Sequence, residues 1–148
     1  MNIYILRGIP GSGKSTWIKQ ENRATDDEVC SADFYHTING VYKFDPKRTG
    51  EAHNLCLSKF LQLLQTKRDH IYVDNTNTTA WEIAPYYRLA EVFLCNVQII
   101  TILCPVEVAI ARNVHAVPGT TILTMHRNIL MEQLPPHWKH TVIAAEGF

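Results

Sequence analysis

The sequence predicts an α/β fold in which a parallel sheet is covered by helices on both faces, and three observations predict it. Strand-like and helix-like patterns alternate along most of the 148 residues, as they do where crossover helices connect parallel strands. The run Gly8-Ile9-Pro10-Gly11-Ser12-Gly13-Lys14-Ser15 completes a G-x-x-x-x-G-K-[ST] phosphate loop between an apolar strand and a helical start. Val97 to Cys104 is apolar and β-branched, the pattern of a strand buried on both faces.

The elements follow in order. Asn2 to Arg7 reads as a short buried strand, and a helix begins around Thr16. Glu21 to Glu28 is polar and reads as a solvated loop. Val29-Cys30-Ser31 is a brief strand that delivers Ala32-Asp33-Phe34-Tyr35-His36 to the carboxyl edge of the sheet, where open α/β sheets place ligands. A turn-rich aromatic segment follows, punctuated by Gly40 and Pro46. From Thr49 to about Thr66, Ala52, Leu55, Cys56, Phe60, Leu63 and Leu64 fall at helical spacing on one face. Ile71-Tyr72-Val73 is a strand from which Asp74-Asn75-Thr76-Asn77 emerges.

Ala80 to Leu94 is helical but contains Pro85, which predicts a short turn of helix and a restart with the proline in its first turn. After the strand at 97–104, Pro105 starts a helix that ends near Arg112, and Val117-Pro118-Gly119 breaks it. Thr120 to Met131 forms another helix with Ile122, Met125 and Ile129 on its apolar face and Arg127 pointing away. The tail, 134–148, has no clear period.

Composition bounds the function. One domain over 1–148 is expected, because a chain of this size buries about 70% of its unfolded surface. Fourteen basic residues balance fourteen acidic ones, so no overall field draws the chain to nucleic acid or anionic membrane, and any polyanion contact must be local. Cys30, Cys56, Cys95 and Cys104 are dispersed and read as reduced, buried thiols. With no signal peptide and no membrane-spanning run, a cytoplasmic location is expected. His137 and His140 are spaced for metal binding without a further ligand cluster, and read as surface residues beside Trp138.

The phosphate loop carries the firmest chemistry. Polyphosphate oxygens need inward-pointing backbone N–H groups, and a chain free of intervening side chains at Gly8, Gly11 and Gly13 supplies them. Ile9, Pro10, Ser12 and Thr16 complete the cradle, whose helix N-terminus faces the same anion. Lys14 is placed for the β and γ phosphates of ATP or another nucleoside triphosphate, and the Ser15 hydroxyl for Mg²⁺.

Three further sites choose among kinase, hydrolase and switch. Asp33 reads either as a cap or as a base accepting the proton of an attacking hydroxyl. Asp74 reads as an Asx-turn residue or as a carboxylate that holds the Mg²⁺ water shell opposite Ser15. Arg112 reads as a solvated helix end or as a lid cation on the transferring phosphoryl group, with the lid at about 112–120. Arg127 is a second lid cation or an exposed arginine.

Arg7 through Trp17, Ser31-Ala32-Asp33-Phe34-Tyr35, Tyr42-Lys43-Phe44-Asp45-Pro46 with Glu51-Ala52-His53, Asp74-Asn75-Thr76-Asn77, and Arg112-Asn113 through Val117-Pro118 occur together in this order. In this the chain resembles the P-loop kinase domains related to phage polynucleotide 5′-hydroxyl kinase. The resemblance covers roughly 1–132. It implies a kinase-type three-layer α/β/α fold with a central parallel sheet and a helical lid, the strand ending at Asp74 lying beside the phosphate-loop strand. It further implies Lys14 on the phosphates, Ser15 on the metal, Asp33 as general base and Arg112 as lid arginine. The acceptor it implies is the 5′-hydroxyl end of RNA or DNA. Two departures stand out: His36 replaces an arginine that grips an acceptor phosphate, and His115-Ala116 occupy the region of a second lid arginine.

Three readings compete. In the first, a polynucleotide end is phosphorylated and Phe34, Tyr35, Tyr42 and Phe44 stack on its base or simply pack. In the second, the acceptor is a nucleoside or sugar, which suits a neutral chain with few spare arginines. In the third, a nucleotide-binding module switches a partner, a role that needs neither Asp33 nor Arg112.

Overall fold

A computed structural model describes residues 1–21, 27–113 and 116–144. Most of the polar loop expected at 21–28, His115 of the expected lid, and 145–148 of the tail lie outside the described residues. The first strand, β1 (Asn2–Arg7), runs into the glycine loop and α1 (Lys14–Glu21), which starts at the lysine itself rather than at Thr16. Next come β2 (Asp27–Cys30), a 3-10 turn over Ala32–His36, and a small hairpin of β3 (Thr37–Ile38) and β4 (Val41–Tyr42). Asn39 and Gly40 close that hairpin with φ of 52° and 77°, the left-handed pair that matches strand twist and that glycine adopts without strain.

Helix α2 (Thr49–Gln65), β5 (His70–Asp74), α3 (Ala80–Val92), β6 (Asn96–Leu103), α4 (Val106–Ala111), α5 (Gly119–Met131) and β7 (His140–Ala144) complete the order. The main sheet has five strands in the order β2-β5-β1-β6-β7, all parallel. The strand ending at Asp74 therefore does lie beside the phosphate-loop strand, with Leu6 level with Asp74 on one side and Ile100 on the other.

Strand alternation divides the core into layers. Ile3, Ile5, Ile71, Val73, Val97 and Ile99 face α2 and α3, where Phe60, Leu64, Ile83 and Ala90 meet them. Leu6, Tyr72, Ile100 and Ile102 face the other way, onto Ile18 of α1. A third cluster of Ile9, Cys104, Ala109, Ile122 and Ile129 joins the phosphate loop to α4 and α5. The four thiols are free, and three of them are buried.

One expectation needs correction. Pro85 does not divide its helix: α3 runs unbroken from Ala80 to Val92. The Glu82 carboxylate accepts from the Thr79 N–H at 3.1 Å and the Thr78 hydroxyl at 3.0 Å, fixing the helix start, while buried Ile83, Tyr86, Tyr87 and Ala90 hold both halves to one surface. One missing hydrogen bond near the N-terminus is outweighed by that packing. The tail also forms structure. It adds β7 in register with β6, Ile99 level with His140, and Trp138 stacks on Tyr87 at 4.8 Å.

Candidate active site

The chain leaves β1 toward β5 and β2, then crosses to β6 and β7 on the other side, so a crevice opens beyond the carboxyl end of β1. A cleft of about 1100 Å³ lies there, walled by the phosphate loop, Asp33, Asp74 and Arg112 among others. The Gly8 N–H donates to the Thr76 carbonyl at 3.0 Å and the Ser12 N–H to the Ile9 carbonyl at 3.1 Å, which fixes the shape of the loop. At Gly11, φ is +81° and an added Cβ would run into the Ala109 carbonyl of α4, so the residue meets both demands that only glycine satisfies. The Ser12 hydroxyl is buried with no partner among the described residues.

Lys14 directs its ammonium onto its own loop, donating to the carbonyls of Gly8 at 2.9 Å and Ile9 at 3.0 Å. Burial pulls its pKa down, while Asp74, Asp33 and Cys104 oppose the shift. Both carboxylates therefore lie within electrostatic reach of this ammonium. Ser15, one residue on, donates its hydroxyl to Asp74 Oδ2 at 3.2 Å. A hydroxyl and a carboxylate so placed, beside a polyphosphate cradle, form the oxygen donor set a hard divalent cation takes. The buried, unpartnered Ser12 hydroxyl and the open glycine cradle likewise fit a triphosphate.

Asp33 is exposed at the mouth of the cleft, on a backbone pinned at several points. The Ser31 hydroxyl accepts from Asp33 N–H at 3.2 Å, Asn75 Oδ1 from Ala32 N–H at 2.9 Å, and the Thr37 hydroxyl donates to the Asp33 carbonyl at 3.2 Å. The Tyr42 phenol is pushed up to about 12, by burial first and then by the nearby Asp33 charge.

His36 lines the same cleft but is only 3% exposed, with its ring 6.2 Å from Tyr42 and 5.0 Å from Phe44. Its Nδ1 is buried without a partner among the described residues.

Arg112 caps the carboxyl end of α4, its side chain exposed toward the cleft. The Cys104 thiol, raised by burial, is drawn back by Arg112 and Lys14, so both cations lie within electrostatic reach of that buried group. Asn113 binds the backbone of Val117 from both ends of its amide.

Two expected residues stand apart. Tyr35 packs against the core instead of lining the cleft. Arg127 sits on the exposed side of α5, outside the cleft. Other residues contribute that the sequence reading did not single out. Asn77 is 3% exposed and donates to the Leu6 carbonyl at 2.7 Å. Arg7, 2% exposed, donates to the carbonyls of Asn77, Thr78 and Ile129. Its burial and its distant partners left no local signal; only the cluster of asparagines after Asp74 hinted at a polar scaffold.

His137 packs edge-on against Trp138, and His140 bonds the Thr101 hydroxyl at 2.6 Å. Among the described residues no group of three or more His, Cys, Asp or Glu could hold a metal, so the pair gains no third ligand. No helix among them is long and apolar enough to cross a membrane.

Comparison with known proteins gives the same architecture. The AAA domain family matches residues 3–117. Human NEDD4-binding protein 2 (Homo sapiens) is 41% identical over 91 residues, 60% of this chain; the chain spans about 5% of that relative's length. A solved structure of the Pnkp1/Rnl/Hen1 RNA repair complex contains a chain that superposes with a TM-score of 0.70 at 16% identity, covering 87% of this chain and 44% of that one. Gluconokinase from Sinorhizobium meliloti 1021 superposes at 0.62 with 15% identity, over 98% of this chain and 83% of that one. At such identities the structural likeness is one of fold.

Proposed function

The chain belongs to the AAA domain family, a family of P-loop kinases, and from that premise we propose that it transfers the γ-phosphoryl group of ATP to a hydroxyl, the 5′-hydroxyl of an RNA or DNA end. One observation carries the reading: Asp33 and Arg112, far apart in sequence, wall the same cleft as the phosphate loop. A nucleotide-gated switch needs no base for an acceptor hydroxyl, so a carboxylate walling the same cleft as the cradle favours transfer.

In this reading 1–148 acts as one catalytic unit with a lid at about 112–120. The acceptor oxygen attacks the γ-phosphorus, Asp33 takes the hydroxyl proton, and the bond to the ADP oxygen breaks. The transition state is loose and the proton moves late, so Asp33 serves chiefly to orient the acceptor. Lys14 neutralises charge on the β and γ oxygens, and Arg112 meets the equatorial oxygens of the transferring group. Ser15 and Asp74 are the residues that would hold Mg²⁺, and the ion would supply charge neutralisation to the phosphates.

The acceptor class is favoured by the aromatic surroundings of Asp33: Phe34 and Phe44 are exposed beside it, and base stacking is tolerant of sequence. His36 lines the same cleft as a buried side chain, whereas Tyr35 and Arg127 lie outside it.

The test is transfer of labelled γ-phosphate from ATP with Mg²⁺, offering 5′-hydroxyl oligonucleotides, nucleosides and sugars side by side. Transfer to oligonucleotides that Asp33→Asn abolishes while ATP still binds supports the proposal. Transfer only to small hydroxyl compounds replaces it with the small-acceptor reading, and ATP binding without any transfer ends the kinase reading.

A further inference from the structure

We infer that Asn75 is a positioning residue for Asp33: its buried side-chain amide carries the β2–β5 pairing one bond further, and that bond sets the segment bearing the acid against the phosphate cradle. The inference rests on the proposed group transfer and adds a residue that acts through another.

Pairing between β2 and β5 ends at Cys30, level with Val73. Ser31 is still extended, with φ of −145° and ψ of 136°, and the chain then enters the 3-10 turn that carries Asp33. Ala32 is 5% exposed, so its N–H needs a partner beyond the last strand pair. Asn75, as far past Val73 as Ala32 is past Cys30, supplies one from its side chain: Oδ1 accepts the Ala32 N–H at 2.9 Å.

The amide is held in one orientation. Asn75 is 7% exposed, and its Nδ2 donates to Sγ of Cys56, a fully buried residue of α2, at 3.6 Å. Turning the amide over would set its NH₂ against the Ala32 N–H, donor against donor. On either side of Asn75, Asp74 Oδ2 accepts from the Ser15 hydroxyl at 3.2 Å and the Thr76 carbonyl accepts from the Gly8 N–H at 3.0 Å. Consecutive residues at the end of β5 thus hold the start of α1, the Asp33 segment and the entry to the phosphate loop.

Other contacts of the segment do less to place it. The Ser31 hydroxyl accepts from the Asp33 N–H at 3.2 Å, which shapes the turn locally. Ala32 packs into the core, but apolar packing is non-directional and resists sliding poorly. The Asn75 bond adds direction and ties the turn to the strand that also anchors the cradle. Catalysis by orientation depends on such a tie, because misplacement by about 1 Å lowers rate as much as 10²-fold.

The experiment compares wild type with Asn75→Leu, which keeps the volume and removes the acceptor, and with Asn75→Ala. Transfer of labelled γ-phosphate to a 5′-hydroxyl oligonucleotide should fall in kcat by about 10- to 100-fold in each. The KM for ATP and its calorimetric affinity should stay within about twofold, whereas general damage to the sheet edge would weaken both along with kcat.

A second readout needs neither turnover nor a variant. Amide exchange followed by NMR should show the wild-type Ala32 N–H slowed on the order of 10²-fold relative to an unstructured amide, and Asn75→Leu should remove most of that protection while leaving Gly8 protected. Wild-type kcat in both variants, ATP affinity that falls in step with kcat, or an unprotected Ala32 N–H in wild type overturns the inference. No transfer by wild type to any acceptor overturns the proposed function and the positioning role with it; protection of Ala32 then reports a contact that is structural alone.

Discussion

The Ser15 hydroxyl lies 3.2 Å from a carboxylate oxygen of Asp74, which ties the first turn of α1 to the end of β5. Neither residue needs the other for packing, since Ser15 is exposed and Asp74 only partly buried. In the proposed function they are instead a pair of oxygen ligands for Mg²⁺, brought together at the point where β1 releases the phosphate loop.

Ser15→Ala should therefore raise the Mg²⁺ concentration for half-maximal transfer on the order of tenfold. Asp74→Asn should act in the same direction. The melting temperature should barely move in either case, because an exposed bond contributes little. Metal titration of the initial rate, set beside a thermal melt, checks both statements; unchanged Mg²⁺ dependence in both variants contradicts the assignment.

Arg112→Ala should lower kcat on the order of 10³-fold, the scale of an arginine that stabilises transferring phosphoryl charge. Nucleotide affinity should change much less. Arg112→Lys should recover only part of the loss, because a point charge does not reproduce the planar fork. Single-turnover rates and direct ATP binding separate the two effects.

Lys14 makes a prediction about pH. Desolvation lowers its pKa below 10.5 in the protein alone, so at alkaline pH a fraction of the amine is neutral. Triphosphate oxygens favour the charged form and push the pKa back up. ATP binding should thus take up protons from solution in the window between the lowered pKa and 10.5, and affinity should weaken as pH rises through that window. Calorimetry in buffers of different ionisation enthalpy measures the uptake. Lys14→Ala should remove it and impair binding or turnover severely.

Arg7 concerns stability. Its guanidinium spans three backbone carbonyls from two separate segments, and burial lowers its pKa against the pull of Glu132 and Glu82. Arg7→Met would leave those carbonyls buried and unpaired at a cost of about 3 kcal/mol, which for a domain of this size is a melting shift of roughly 10 °C. Arg7→Lys should fare little better, as one ammonium cannot reproduce the fork. Denaturant unfolding distinguishes these outcomes.

Local signals carried much of this architecture. The phosphate loop is legible because its glycines, lysine and serine are adjacent and sit between a strand and a helix. Helix α2 is legible because its apolar residues repeat at one period over seventeen residues. What stayed hidden depends on distant partners. Strand β7 is largely exposed and follows two prolines, so it has no alternating pattern; only pairing with β6 makes it a strand.

Arg127 was visible as a residue off the apolar stripe of its helix, yet which exposed side faces the cleft is decided by how α5 docks. Tyr35 and Tyr42 look equivalent as aromatic residues near Asp33, but Tyr42, carried by the hairpin, lines the cleft while Tyr35 packs against the core. Arg7 and Asn77 meet across seventy positions of sequence, beyond the reach of any local period.

Gly11 rests its bare Cα against the Ala109 carbonyl, so the nucleotide cradle and the helix that carries Arg112 share a single wall. Those two parts are therefore not interchangeable modules. A chimera that imports a lid helix from another kinase must import the matching cradle with it, and side-chain diversity at position 11 should be absent from any library selected for turnover.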